Sequence, residues 1–180
     1  MLEVHNTVFV CIDIQGNLAQ AMHAKEKLFE AVKKLIAGVV VLDIPLILTE
    51  QNPARLGPTL SEIQTLMPSA TRPVSKMSFS CCGSEEFVQA IGASKRTDVL
   101  LCGIEAHICV YQTACDLLAR GYRVHCVADS VSSRTQDNKA IGLEKIKNAG
   151  GVITSTETAL FELLKTAEAP AFKAIAKIIR

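Results

Sequence analysis

Residues 98–128 read DVLLCGIEAHICVYQTACDLLARGYRVHCVA, and this stretch decides the fold. Two apolar runs, 98–104 and 122–128, bracket a segment with helical spacing at 107–120. Neither run alternates cleanly between apolar and polar residues, so each reads as a strand buried on both faces, as in a parallel sheet. Gly121 follows TACDLLAR as a helix-terminating residue. The unit is strand, helix, strand, the crossover from which open α/β sheets are built.

Working outward, the same apolar signature recurs at 7–13 (TVFVCID), 45–50 (PLILTE) and 151–155 (GVITS). Helical spacing fills 24–42, 84–94, 136–148 and 156–166, and NAGG at 148–151 closes one of these helices. A short extended piece at 71–76 supplies a sixth strand, and Pro73 assigns it to a sheet edge. A last helix, 171–180, carries Phe172, Ile175 and Ile179 on one face and follows AEAP at 167–170. It is expected to dock on the domain or on a neighbouring subunit. No repeat or low-complexity tract divides the chain, so 1–180 reads as one domain.

With 180 residues, 49% hydrophobic and 21% charged, and a mean hydropathy of +0.27, the chain has enough apolar surface for a full core and for assembly with itself. Nineteen basic against 18 acidic residues leave a formal charge of +1, which provides no footprint for nucleic acid or an anionic membrane. The longest apolar region is interrupted by Gly38, Asp43 and Pro45, short of the roughly 20 residues a spanning helix needs. Seven cysteines, an odd number without zinc-type spacing, suit reduced thiols, and MLEVHNTVFVC lacks the basic start of a secretory or transit signal. A cytoplasmic protein is expected.

In open parallel sheets, chemistry gathers at the carboxyl ends of the strands. There the sequence delivers Asp13 and Gln15, then Thr49 to Asn52, then Lys76, then the loop to Cys109, then Asp129 and Ser130. Attack on a carbonyl requires a thiolate, and a helix start with Lys76 nearby is expected to lower the thiol pKa of Cys109, with Asp13 as acid and base. Taken singly, each has an ordinary reading: Cys109 as a small buried residue like the other six cysteines, Asp13 as a turn or cap residue, Lys76 as a solvated charge. His107 lies two residues from Cys109, and side chains two apart on a helix do not face each other. No glycine-rich phosphate motif follows the first strand, where only Gly16 stands, so no nucleotide cofactor is expected.

The set Asp13-x-Gln15, Lys76-x-x-Phe79-Ser80 and GIEAHICVYQTACDLLARGYRVHCVADSVSSR (103–134) resembles the isochorismatase-like hydrolases, the cysteine hydrolase superfamily that includes nicotinamidases. TEQNPARLGPT (49–59) and the closing FKAIAKIIR are similar to the isochorismatase domain-containing group. The resemblance implies a three-layer, doubly wound, Rossmann-like sheet of six parallel strands and a triad of Asp13, Lys76 and Cys109. It further implies a cis peptide at Ile104–Glu105 and an oxyanion hole from the N–H groups of Glu105 and Cys109. Gln15, Phe79 and Tyr111 would line the substrate pocket. The loop EQNPARLGPT lacks the histidines with which nicotinamidases bind metal, so no metal is expected, and Ala106 stands where some relatives carry Thr. Because siderophore-pathway isochorismatases do without the cysteine, Cys109 points instead to hydrolysis of a small amide-like substrate through a thioester. The alternative is a protein that keeps the fold and binds a metabolite or a protein partner without catalysis.

Overall fold

The computed structural model describes all 180 residues. Its first strand, β1 (Thr7–Ile12), shows why the sheet is parallel: all six residues are buried, Phe9 and Cys11 on one face and Val8, Val10 and Ile12 on the other. A strand apolar on both sides requires helices on both sides. After α1 (Gly16–Gln20), α2 (Lys25–Val41) returns the chain to β2 (Leu46–Gln51). Two short helices, α3 (Pro53–Leu56) and α4 (Ser61–Gln64), lead to β3 (Val74–Lys76). Then follow α5 (Glu85–Ala93), β4 (Asp98–Ile104), α6 (Tyr111–Ala119), β5 (Arg123–Ser132), α7 (Gln136–Asn148), β6 (Val152–Thr154), α8 (Thr156–Leu164) and α9 (Phe172–Ile179).

The six strands are all parallel in the order β3-β2-β1-β4-β5-β6, with β3 at an edge directly after Pro73. The three-layer, doubly wound expectation holds. One core of 25 buried residues lies under α2, α8 and α9, and a second of 19 lies under α5, α6 and α7, so neither face of the sheet is left open. Phe9 is fully buried in the first core, where its truncation to Ala would cost about 3–5 kcal/mol. The last helix docks on the domain itself: Ile175 is buried, and Phe172 meets Phe161 edge to face at 6.4 Å.

Three local expectations change. The strand expected at 122–128 runs on to Ser132, because its pairing with β4 shifts register between Leu101 and Gly103 and a bulge carries the chain further. The helices at 16–20, 53–56 and 61–64 are too short to show a period. The helix expected from 107 begins as a wide turn at Ala106–Val110, closed by a bond from Val110 N–H to Glu105 O, and continues into α6.

Two glycines fix where this turn lies. Gly103 has φ +121°, and a Cβ there would stand 2.1 Å from Ile12 O, so β4 presses against the end of β1 as no other residue allows. Gly142 of α7 faces the backbone of Ala106 and His107, where a Cβ would come within 2.6 Å. The turn holding Cys109 is thus clamped between the sheet and α7.

Candidate active site

The strand order reverses between β1 and β4, and the crevice beyond their carboxyl ends is where an open α/β sheet places its ligand. Asp13 leaves β1 in a left-handed conformation, φ 53°, and is 1% exposed. Its Oδ1 accepts a hydrogen bond from Thr49 Oγ1 at 2.7 Å, and its Oδ2 accepts one from Lys76 Nζ at 2.6 Å. Three adjacent strands therefore meet at one carboxylate.

The Lys76 ammonium is buried and fully engaged. Besides Asp13 it reaches Gln51 Oε1 at 2.9 Å, Phe79 O at 3.1 Å and Ser78 O at 3.2 Å. Parallel register sets this up, since Gln51 pairs with Lys76 and Ile12 with Thr49. The 78–81 segment is anchored in turn by Ser80 Oγ on Asp116 Oδ2 and by Cys81 N–H on Thr113 Oγ1.

Cys109 lies on the α6 side of the crevice, 7% exposed. Burial pushes its thiol up to about 12, the Asp13 charge adds to the rise, and Lys76 opposes it. This reverses the expected lowering. Desolvation outweighs the helix start, and the Lys76 charge is already paired with Asp13. The thiol keeps its proton at neutral pH and borders a carboxylate able to accept it. A second thiol, Cys81, is also buried and pushed up to about 12, with its Sγ 3.8 Å from Thr49 Oγ1.

The peptide Ile104–Glu105 is cis. The Glu105 side chain accepts bonds from the Arg134 N–H at 3.3 Å and from Arg134 Nε at 3.1 Å. His107 pairs with Ser133 Oγ at 2.9 Å. Gln15 is fully buried: its Nε2 donates to Gln51 O and Gly57 O, and its Oε1 accepts from Gln51 N–H. Glu50 holds the same loop by accepting from Thr59 N–H and Oγ1. Phe79 is 55% exposed, and the Tyr111 ring lies under Lys145 Nζ at 4.5 Å from its centroid. No group of three or more His, Cys, Asp and Glu side chains converges in a metal-holding arrangement.

Sequence reasoning left Thr49, Gln51, Glu50 and Arg134 without roles. The first three stand at the end of β2, where a polar run after LIL was the available signal; Arg134 gave none.

The fold and the site define an α/β protein of the doubly wound parallel class, with carboxylate, ammonium and thiol gathered at its switch point. The chain belongs to the isochorismatase family, whose Isochorismatase domain model matches residues 7–158. It is 37% identical over 179 residues to the secreted isochorismatase effector Isc1 of Phytophthora sojae, covering 98% of this chain and 85% of that protein. Isochorismatase domain-containing protein 2A of Mus musculus is 34% identical over 180 residues, covering 100% and 85%. Among solved structures, the MAR1 ribonuclease of Caenorhabditis elegans superposes with a TM-score of 0.94 at 32% identity, covering 99% of this chain and 91% of that one. The family is hydrolase-type. No helix is long and apolar enough to cross a membrane.

Proposed function

We propose that this protein is a cysteine hydrolase that cleaves a small amide-like C–N bond through a thioester. One observation carries the reading: the buried Asp13–Lys76 pair beside the protonated thiol of Cys109. Asp13 takes the thiol proton as sulfur attacks the carbonyl carbon. The N–H groups of Glu105 and Cys109 receive the developing oxyanion. Asp13 then returns the proton to the departing amine, leaving the acyl group on sulfur. In the second half Asp13 accepts a proton from water, hydroxide adds to the thioester, and the acid leaves as the thiol is restored. Lys76 acts by holding the carboxylate toward the sulfur and by keeping the 78–79 backbone in place. Phe79 and Tyr111 flank the substrate, while Gln15, whose amide hydrogens are engaged, shapes the pocket wall.

Residues 1–180 act as a single catalytic domain that needs no metal or cofactor, with a small molecule as substrate. Seven free thiols support a reducing, cytoplasmic setting, although the Phytophthora sojae relative is named as secreted. Exposed Val152 beside Leu143 and Ile153 supports assembly into a homo-oligomer.

The test is turnover of a panel of primary and N-substituted amides by the wild type and by Cys109→Ala, with an RNA oligonucleotide as the competing substrate. Loss of amide turnover in Cys109→Ala, together with an acyl mass on Cys109 in the quenched wild type, is the expected result. Amide turnover that survives the substitution, or cleavage confined to RNA, rejects it.

A further inference from the structure

β6 pairs only with His125–Val127, so residues 128–132 of β5 have β4 on one side and no strand on the other. There, between the starts of α2 and α7, opens a cavity of about 400 Å³. Lys27 and Leu28 line it from α2, Ser132 from β5, and Gln136, Lys139 and Leu143 from α7. Cys109, Asp13 and Lys76 are not among its walls.

Its charges are unbalanced. The lysines and arginines in ion pairs are Lys33, Lys34, Lys76, Lys165, Arg123 and Arg134, so Lys27 and Lys139 have no such partner. The lining carboxylate, Asp129, accepts both the N–H and the Oγ1 of Thr156 on one oxygen, which turns it toward α8. His23 adds an imidazole to the lining. Lys139 is half-buried, and burial lowers its pKa against the opposing pull of Asp129. A desolvated ammonium without a direct partner favours an anion. The N-terminus of α2 has no side-chain cap, which adds positive potential on the same side.

We infer that this cavity binds a phosphate monoester carried on a small apolar group, Lys27 and Lys139 holding the dianion and Leu28 and Leu143 receiving the apolar body. Two ammonium groups lining one cavity, that of Lys139 half-buried and that of Lys27 exposed, match the double charge, and the volume falls in the range of small-molecule sites, roughly 300–1,000 Å³. The site is separate from the thiol chemistry and does not depend on it.

Calorimetry with phenyl phosphate at neutral pH and low salt tests the assignment, with inorganic phosphate and phenol as partial probes. Saturable binding is expected, weaker for inorganic phosphate and absent for phenol. Lys27→Met and Lys139→Met should each weaken it about tenfold or more, Lys139→Arg should retain it, and Cys109→Ala should leave it unchanged. Thermal midpoints of the variants establish that they fold. Absence of saturable binding, affinity indifferent to both Met substitutions, or loss in Cys109→Ala overturns the inference.

Discussion

Lys76 Nζ lies 2.6 Å from Asp13 Oδ2 across 63 residues of sequence, and both side chains are shut away from solvent. Desolvation offsets most of the attraction in such a pair, so it is a poor device for stability alone. Its consequence is felt at Cys109, where the two charges act in opposite directions on one thiol. The proton stays on sulfur at rest, beside a buried carboxylate.

Asp13→Asn separates thiol reactivity from catalysis. It removes the negative charge that raises the thiol and leaves the ammonium that lowers it, so alkylation of Cys109 by iodoacetamide should shift to lower pH. Amide turnover should fall by roughly 10²–10⁴, the usual size of a lost general acid and base. Mass-resolved alkylation profiles and initial rates measure the two. An unchanged alkylation profile would show that the Asp13 charge does not govern the thiol.

How much of this is legible in the amino-acid sequence differs by residue. The sheet was readable because Val8–Ile12 and Val99–Ile104 are apolar on both faces, a pattern only helices on both sides explain. Asp13, Lys76 and Cys109 could be placed at strand ends for the same reason. The direction of the Cys109 shift could not, since it depends on burial and on Lys76 already being paired. Gln15 likewise looks like a pocket residue in sequence, and only its hydrogen bonds in the fold show the amide bridging the backbones of Gln51 and Gly57. In Gly142 the sequence shows a mid-helix glycine and nothing of the turn it meets.

Gly142→Ala tests the clamp on that turn. The added methyl meets the Ala106 and His107 backbone at under 3 Å, so the turn must move and catalysis should drop at least tenfold. Gly121→Ala is the control: its φ is +86° with nothing within 4 Å, so it should cost about 1–2 kcal/mol of stability and leave kcat intact. Equal rates for the two variants would mean that α7 does not position Cys109.

Lys76→Met leaves the Asp13 carboxylate buried beside Thr49 without its counter-charge. Breaking one side of a buried pair typically costs about 3–5 kcal/mol, which urea unfolding would register as a lower midpoint at neutral pH. The thiol of Cys109 should rise still further, because Lys76 is the group that lowers it. A midpoint within error of the wild type would assign the pair no structural role. Restoring charge with Lys76→Arg should recover stability only in part, since the planar guanidinium does not reproduce the four acceptors around one ammonium.

Alkaline pH should unfold the protein through its thiols. Cys81, Cys109 and Cys126 are each raised from an ordinary 9.0 to about 12, in every case chiefly by burial, and Cys102 is raised as well. A raised thiol binds its proton more tightly in the folded chain, so its contribution is complete below pH 9.0 and is lost as pH climbs toward 12. Within that window each thiol removes on the order of 1 kcal/mol per pH unit. Urea midpoints measured between pH 8 and about 10.5 should therefore be level at first and then fall steeply. Cys126→Ala, which deletes a fully buried thiol other than Cys109, should lower the midpoint at pH 8 yet make the fall above pH 9 shallower. An identical slope in that variant would trace the alkaline loss to groups other than the buried cysteines.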